Sequence, residues 1–206
     1  MILEYVKGFE LLKKYNIKVA QTKVVNSLDE AYEFAKGRKI VLKLYSEKAT
    51  HKAKLGLVKI DLSKEEIKET FKEFKKIAKK FNLQPYEIIA QEMLPIGKEA
   101  IIGANEDEQF GKFVIFGLGG SYVEIFKDIS SRLCPINKKE ALEMIEEIKA
   151  KELLFKNERM KEKIANLIAK VSRIVEKENI KELDINPIMI YENSYKVADV
   201  RIMVEG

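Results

Sequence analysis

The chain has 206 residues, 46% hydrophobic and 34% charged, enough for a packed core and too apolar for a disordered segment. Lys and Arg number 38 against 33 acids, a net charge of +5 with both signs interleaved, which argues against a nucleic-acid binder with a segregated basic face. No apolar run reaches the roughly 18 residues of a membrane span, residues 1–18 lack the apolar core of a secretory signal, and one cysteine with one histidine excludes an intrachain disulfide and a cysteine-cluster zinc site. The expectation is a soluble cytoplasmic protein. Abundant Lys, Glu and Ile, no Trp and only four Gln add a bias resembling proteins of hot environments.

In chain order, residues 4–15 carry Val6, Phe9, Leu11 and Leu12 near one helical face, and residues 18–25 read as extended. Ser27 with Glu30 is a capping box opening a short helix to about Gly37. Residues 40–44 form a buried-type strand, and residues 57–62 form another, stopped by Ser63. Ser63 with Glu66 is a second capping box, opening a long helix to about Phe81. Beyond Pro85, strands are predicted over 87–94, 99–104, 112–118 and 122–125. Helices follow over 137–150, capped by Asn137, and over 159–177. The chain closes on strands 183–191 and 196–204, a predicted β-hairpin. Strands clustered with strands and helices on one face describe an α+β arrangement in two lobes, 1–94 and 95–206, the second carrying the closing hairpin.

Five places could carry chemistry. Alternation puts Ile40, Leu42 and Leu44 on one strand face and Val41, Lys43 and Tyr45 on the other. Lys43 there needs an anion, a carboxylate partner or water, and a partly exposed face with an outward ammonium is the plainer reading. His51 lies in a polar, lysine-rich loop between two apolar strands; an imidazole nitrogen can accept and pass on a phosphoryl group, although a lone loop histidine is more often simply solvated. Gln91-Glu92-Met93-Leu94-Pro95-Ile96-Gly97-Lys98-Glu99 is an extended segment ending at a bend. It can offer backbone N–H and C=O to a planar heterocycle and the Glu99 carboxylate to ribose hydroxyls, or be a hairpin turn with solvated charges. Gly117-Leu118-Gly119-Gly120 could admit a phosphate close to the backbone, but it enters a strand rather than a helix, so a turn is the plainer reading.

The closing hairpin is the constellation that geometry supports best. Asp184 and Asn186, two apart, share a strand face away from Leu183, Ile185 and Met189. A Glu192-Asn193 turn puts Asn186 directly opposite Asp199; an Asn193-Ser194 turn makes the two diagonal neighbours on the same face, which Arg201 shares as well. Two acids and an amide there make a hard oxygen site suited to Mg²⁺. An exposed polar face of an edge hairpin remains the alternative.

Val41-Leu42-Lys43, the 91–99 segment, Phe116-Gly117-Leu118-Gly119-Gly120-Ser121-Tyr122-Val123-Glu124 and Glu182-Leu183-Asp184-Ile185-Asn186-Pro187 with Asp199 resemble the ATP-grasp fold. More closely, they resemble the β subunits of ADP-forming acyl-CoA synthetases, along essentially the whole chain. The resemblance implies two α+β lobes with a nucleotide cleft between them, ATP or ADP as ligand and Mg²⁺ as cofactor. It implies that Val41, Leu42, Lys43 and Gln91 belong to the nucleotide site, with Lys43 on the phosphates, that the backbone around Glu92, Met93 and Leu94 reads adenine, and that Glu99 reads ribose. Asn186 and Asp199 would hold Mg²⁺, Asp184 would stand close to the transferring phosphate, and His51 would carry phosphate towards a partner. That partner is an α subunit with the CoA and acyl sites, since the chain has no GxGxxG unit of its own. A hetero-oligomer with no nucleic acid or membrane is thus implied.

One stretch departs from the family pattern. The family loop reads His-Lys-Ser-Asp-Val-Gly-Gly-Val, whereas this chain has His51-Lys52-Ala53-Lys54-Leu55-Gly56-Leu57-Val58. The hydroxyl and carboxylate after the histidine are replaced by a methyl group and a lysine. Two alternatives therefore stay open: an ATP-grasp carboxylate ligase that works without His51, and a nucleotide-binding regulatory subunit without turnover.

Overall fold

The computed structural model describes residues 3–49, 56–120 and 128–205. It divides into two compact units, residues 20–95 and a second built from residues 1–19 together with 96–206. The sequence boundary at 94/95 is thus shifted by one residue, and the N-terminal helix lies with the second unit rather than the first.

In the 20–95 unit, β1 (Thr22–Val24), β2 (Ile40–Tyr45), β3 (Val58–Leu62) and β4 (Glu87–Glu92) form an antiparallel sheet in the order β1-β4-β2-β3. Among the described residues, the helices α2 (Leu28–Ala35) and α3 (Lys64–Lys80) belong to it, after α1 (Tyr5–Lys14) of the other unit. The start of α3 has the full reciprocal cap: the Ser63 side chain accepts from the Glu66 N–H, and the Glu66 carboxylate accepts from the Ser63 N–H at 2.8 Å. At α2 only half of the expected box forms, because Glu30 reaches past Ser27 to the Asn26 N–H at 3.1 Å. Ile40, Leu42, Leu44, Ile88 and Ala90 pack with Ile67, Phe71 and Phe74 of α3 into one apolar core. Burial of that sheet face is the main force holding the unit together.

In the second unit, β5 (Lys98–Asp107), β6 (Gly111–Leu118), β7 (Ile129–Leu133), β8 (Ile180–Ile190), β9 (Tyr195–Val197) and β10 (Arg201–Val204) form a six-stranded antiparallel sheet. Its order is β10-β8-β5-β6-β7, with β9 also on β8. The helices α4 (Lys138–Glu147) and α6 (Glu158–Lys177) cover one face, joined by the short α5 (Lys151–Leu154). Ala100, Ile102, Val114, Phe116, Leu183, Ile185, Ile188 and Ile202 point to that face and are buried. The helix α1 buries Tyr5, Phe9 and Leu12 and packs on β10; its entry and exit are tied by Leu3 N–H to the Ile202 carbonyl and Val197 N–H to the Lys18 carbonyl, both at 2.9 Å.

Three details differ from the sequence reading. The bend at Pro95–Gly97 is no hairpin turn, since β4 and β5 belong to different sheets. The predicted helix over 137–150 stops at Glu147, where the Asp128 carboxylate takes the Lys149 and Ala150 N–H groups at 2.9 and 2.7 Å and so competes with helical carbonyls. The strand β7 carries an inverted pattern that hides it from hydropathy: Ile129 and Leu133 are exposed, while Ser130 and Arg132 turn to the helix side and bind Glu147. The predicted strand over 122–125 lies outside the described residues.

Candidate functional site

Within the 20–95 unit, Lys43 sits mid-strand, paired with Ile89 on one side and Val58 on the other, and is half-buried. It shares its face with Val41 and Tyr45, opposite the core face that Leu42 enters, as alternation requires. Leu42 therefore offers a ligand only its backbone. Gln91 is buried, and its Nε2 donates to Thr22 Oγ1 at 3.0 Å, so its side chain ties β1 to β4. The Glu92 carboxylate accepts from the Gln21 N–H at 2.8 Å, and its own N–H donates to the Gln21 carbonyl at 2.9 Å. Both side chains are engaged in fixing the sheet edge. Strand pairing ends at Glu92, and the backbone of Met93 and Leu94 runs on outside the ladder.

Within the second unit, the hairpin register is the first of the two alternatives. Ile190 pairs with Tyr195, and the Tyr191 N–H donates to the Ser194 carbonyl at 2.9 Å, which makes Glu192-Asn193 the turn. The Asn186 N–H donates to the Asp199 carbonyl at 3.2 Å, and Arg201 stands directly opposite Asp184. Asp184, Asn186, Asp199 and Arg201 thus occupy adjacent cross-strand positions on the sheet face away from α4 and α6.

A bulge shapes the row that follows. Ala100 pairs with Ile188 but Ile102 pairs with Ile185, so three residues of β8 span two of β5, with the extra residue at Asn186-Pro187. Pro187 has no N–H to lose from the ladder. The bulge returns Ile188 and Ile190 to the buried face, where uninterrupted alternation would set them beside Asp184. It also overturns one expectation: Met189 lies on the polar face, between Glu99 of β5 and Lys196 of β9.

Charge is concentrated at this end. Asp184 keeps an exposed side, yet the surrounding protein atoms, then the Asp199 and Glu182 carboxylates, push its carboxyl up to about 6, against the pull of Arg201. Asp199 is oriented by its own chain, its Oδ1 accepting from the Val200 N–H at 3.0 Å. The Mg²⁺ implied by the resemblance can be tested on this donor set. Among the described residues no three His, Cys, Asp or Glu side chains gather, so no carboxylate cage is offered. One carboxylate and one amide oxygen in register, with open positions left for water and phosphate oxygens, is the arrangement Mg²⁺ takes when it binds with a nucleotide. The residues fit the ion. His51 lies outside the described residues.

A family model described as an ATP-grasp domain matches residues 1–204. The chain belongs to the ATP-grasp family. Among its ATP-grasp relatives is the β subunit of acetate–CoA ligase [ADP-forming] I of Pyrococcus furiosus, 41% identical over 95% of this chain and 88% of that one. Acetate–CoA ligase [ADP-forming] II of Archaeoglobus fulgidus is 38% identical over 99% of this chain, which spans 30% of that longer one. Among solved structures, the acetyl-coenzyme A synthetase 1 of Candidatus Korarchaeum cryptofilum superposes with a TM-score of 0.83 at 36% identity, over 99% of this chain and 93% of that one. That structure holds coenzyme A and Mg-AMPPCP, with its phosphohistidine segment pointing towards the nucleotide-binding site. Sequence reasoning did not place Met189 and Lys196 on the polar sheet face, where strand pairing sets them in a row with Glu99. Their signal is Pro187 within an otherwise alternating strand, since a strand paired on both sides tolerates proline chiefly at a bulge.

Proposed function

We propose that the chain is the nucleotide-binding β subunit of an ADP-forming acyl-CoA synthetase. It passes phosphate between ATP or ADP and a histidine relay, so that acyl-CoA, ADP and phosphate interconvert with carboxylate, CoA and ATP. The observation that carries this reading is the register that sets Asp184 and Asn186 against Arg201 and Asp199 on one sheet face. In this reading Lys43 meets the nucleotide phosphates, the backbone of Glu92, Met93 and Leu94 meets adenine, and Glu99 accepts from ribose hydroxyls. Asn186 and Asp199 hold Mg²⁺, which when bound offsets the charge of the phosphate oxygens. Asp184, flanked by Arg201, keeps an ionisable carboxyl beside the transferred group. His51 is the acceptor that carries phosphate to an α subunit supplying the CoA and acyl sites, a role consistent with the much longer single-chain relative from Archaeoglobus fulgidus.

The test is phosphorylation with γ-³²P-ATP and Mg²⁺, with and without a candidate α subunit. Acid-labile, base-stable label on this chain, lost in His51→Ala while ATP still binds, is the expected result. Full turnover by His51→Ala would refute the relay. Nucleotide binding with no label on either chain would favour a ligase independent of His51 or a regulatory subunit, a reading that the Ala53 and Lys54 replacements make specific.

A further inference from the structure

We infer that Gly120 is a positioning residue that sets the carboxylate of Glu99, and this rests on the reading of Glu99 as the ribose acceptor. The strand β6 ends here beside the first residues of β5: Ala100 pairs with Leu118, and one step further the Gly119 N–H donates to the Glu99 carbonyl at 2.8 Å. The chain then turns across the start of β5 with Gly120 at φ +76°. A methyl group on Gly119 would stand 2.8 Å from the backbone N, C and O of Ala100. A methyl group on Gly120 would overlap Glu99 Oε2 and stand 3.3 Å from its Cδ.

The two adjacent glycines are thus required for different reasons. At Gly119 the obstacle is backbone, which cannot yield without parting β5 from β6. At Gly120 the obstacle is the tip of a flexible side chain, which can swing away, and what remains is the strain of a left-handed backbone at a residue outside the strand ladder. The absent Cβ of Gly120 is therefore the space in which the Glu99 carboxylate sits, and filling it relocates the carboxylate while leaving the sheet in place. This also gives the Gly-Leu-Gly-Gly stretch a purpose other than cradling phosphate: it shapes the acceptor for the sugar.

The experiment measures binding of ATP, 2′-deoxy-ATP, 3′-deoxy-ATP and 2′,3′-dideoxy-ATP to the full chain by calorimetry with Mg²⁺. In the unsubstituted chain ATP should bind roughly tenfold or more tighter than the dideoxy analogue, the size of a hydrogen bond to a charged group. Gly120→Ala, and Gly120→Asn, which tolerates the left-handed backbone better, should both pull the ATP affinity down to the dideoxy value. Dideoxy-ATP binding should stay unchanged, and adding Glu99→Ala to Gly120→Ala should cost nothing more. Equal weakening of ATP and dideoxy-ATP, or a preserved ratio, would overturn the inference. Failure of both Gly120 variants to fold would overturn it too, making Gly120 a fold residue like Gly119. A ratio that survives Glu99→Ala alone would instead strike the ribose reading of Glu99, and the inference with it, which separates the two failures.

Discussion

Ser172 is fully buried in α6, where its hydroxyl accepts from the Ile136 N–H at 3.1 Å and donates to the Ala169 carbonyl at 2.9 Å. It holds the segment after β7 onto the helix, and its removal leaves a buried N–H without that acceptor. Ser172→Ala should cost about 1–3 kcal/mol in urea denaturation, and a loss near zero would show that another acceptor takes over. At Asp199 the expected loss is of function. Asp199→Ala should abolish the Mg²⁺-dependent part of nucleotide affinity in calorimetric titrations, and Mg²⁺-dependent binding unchanged by the substitution would remove the metal assignment. These site residues were legible because a strand has a period of two, so Asp184 and Asn186 had to share a face whatever the turn. The bulge was less legible, since the pleat rule reads straight through it; Pro187 marks where it can form, and the buried Ile188 and Ile190 show the shift itself.

Helix starts were the clearest elements in the sequence because capping is local chemistry. Asn137 accepts from the Lys139 and Glu140 N–H groups at 2.8 and 3.1 Å, while the Glu140 carboxylate accepts from the Asn137 N–H at 2.8 Å. Asn137→Ala should destabilise the chain by about 1 kcal/mol, read as a lower Tm. The strand β7 was not legible, because its inward residues are Ser130 and Arg132 and their partner Glu147 lies on a helix, at a sequence distance no periodicity spans. Arg132 and Ser130 hold the Glu147 carboxyl down to about 2. A depressed carboxyl contributes stability above its unfolded value of 4.5 and loses it as pH falls through about 2. Glu147→Gln should therefore lower Tm at pH 7 and converge on the parent as pH falls below about 2. Half-exposure of the carboxylate limits the neutral-pH difference to about 1 kcal/mol or less, and an equal Tm at pH 7 would show that the pair contributes nothing.

At the scale of the whole molecule, the α+β class was legible from where strands and helices cluster, but the membership of α1 was not. A hydrophobic helical face states that a helix must be buried and is silent on which sheet buries it. Deleting residues 1–19 should loosen the unit of residues 96–206, seen as faster amide exchange in β8 and β10, and should leave the residue 20–95 core protected. The reverse pattern would contradict the division. Mg-ATP at about 100 times its Kd should raise stability by roughly 2.7 kcal/mol, an increment that Asp199→Ala should reduce to what ATP gives without Mg²⁺.

The placement of α1 has a consequence for the making of the protein. The helix is synthesised before the whole 20–95 unit, and the strand it packs on, β10, only after the chain has passed Arg201. At about 5–20 residues per second, Phe9 and Leu12 wait on the order of ten seconds for their partner. During that wait a complete unit emerges and can close around its own core. The nascent chain thus carries an uncovered apolar helix ahead of a finished fold, and for that interval it is a client for whatever shields sticky segments at the ribosome.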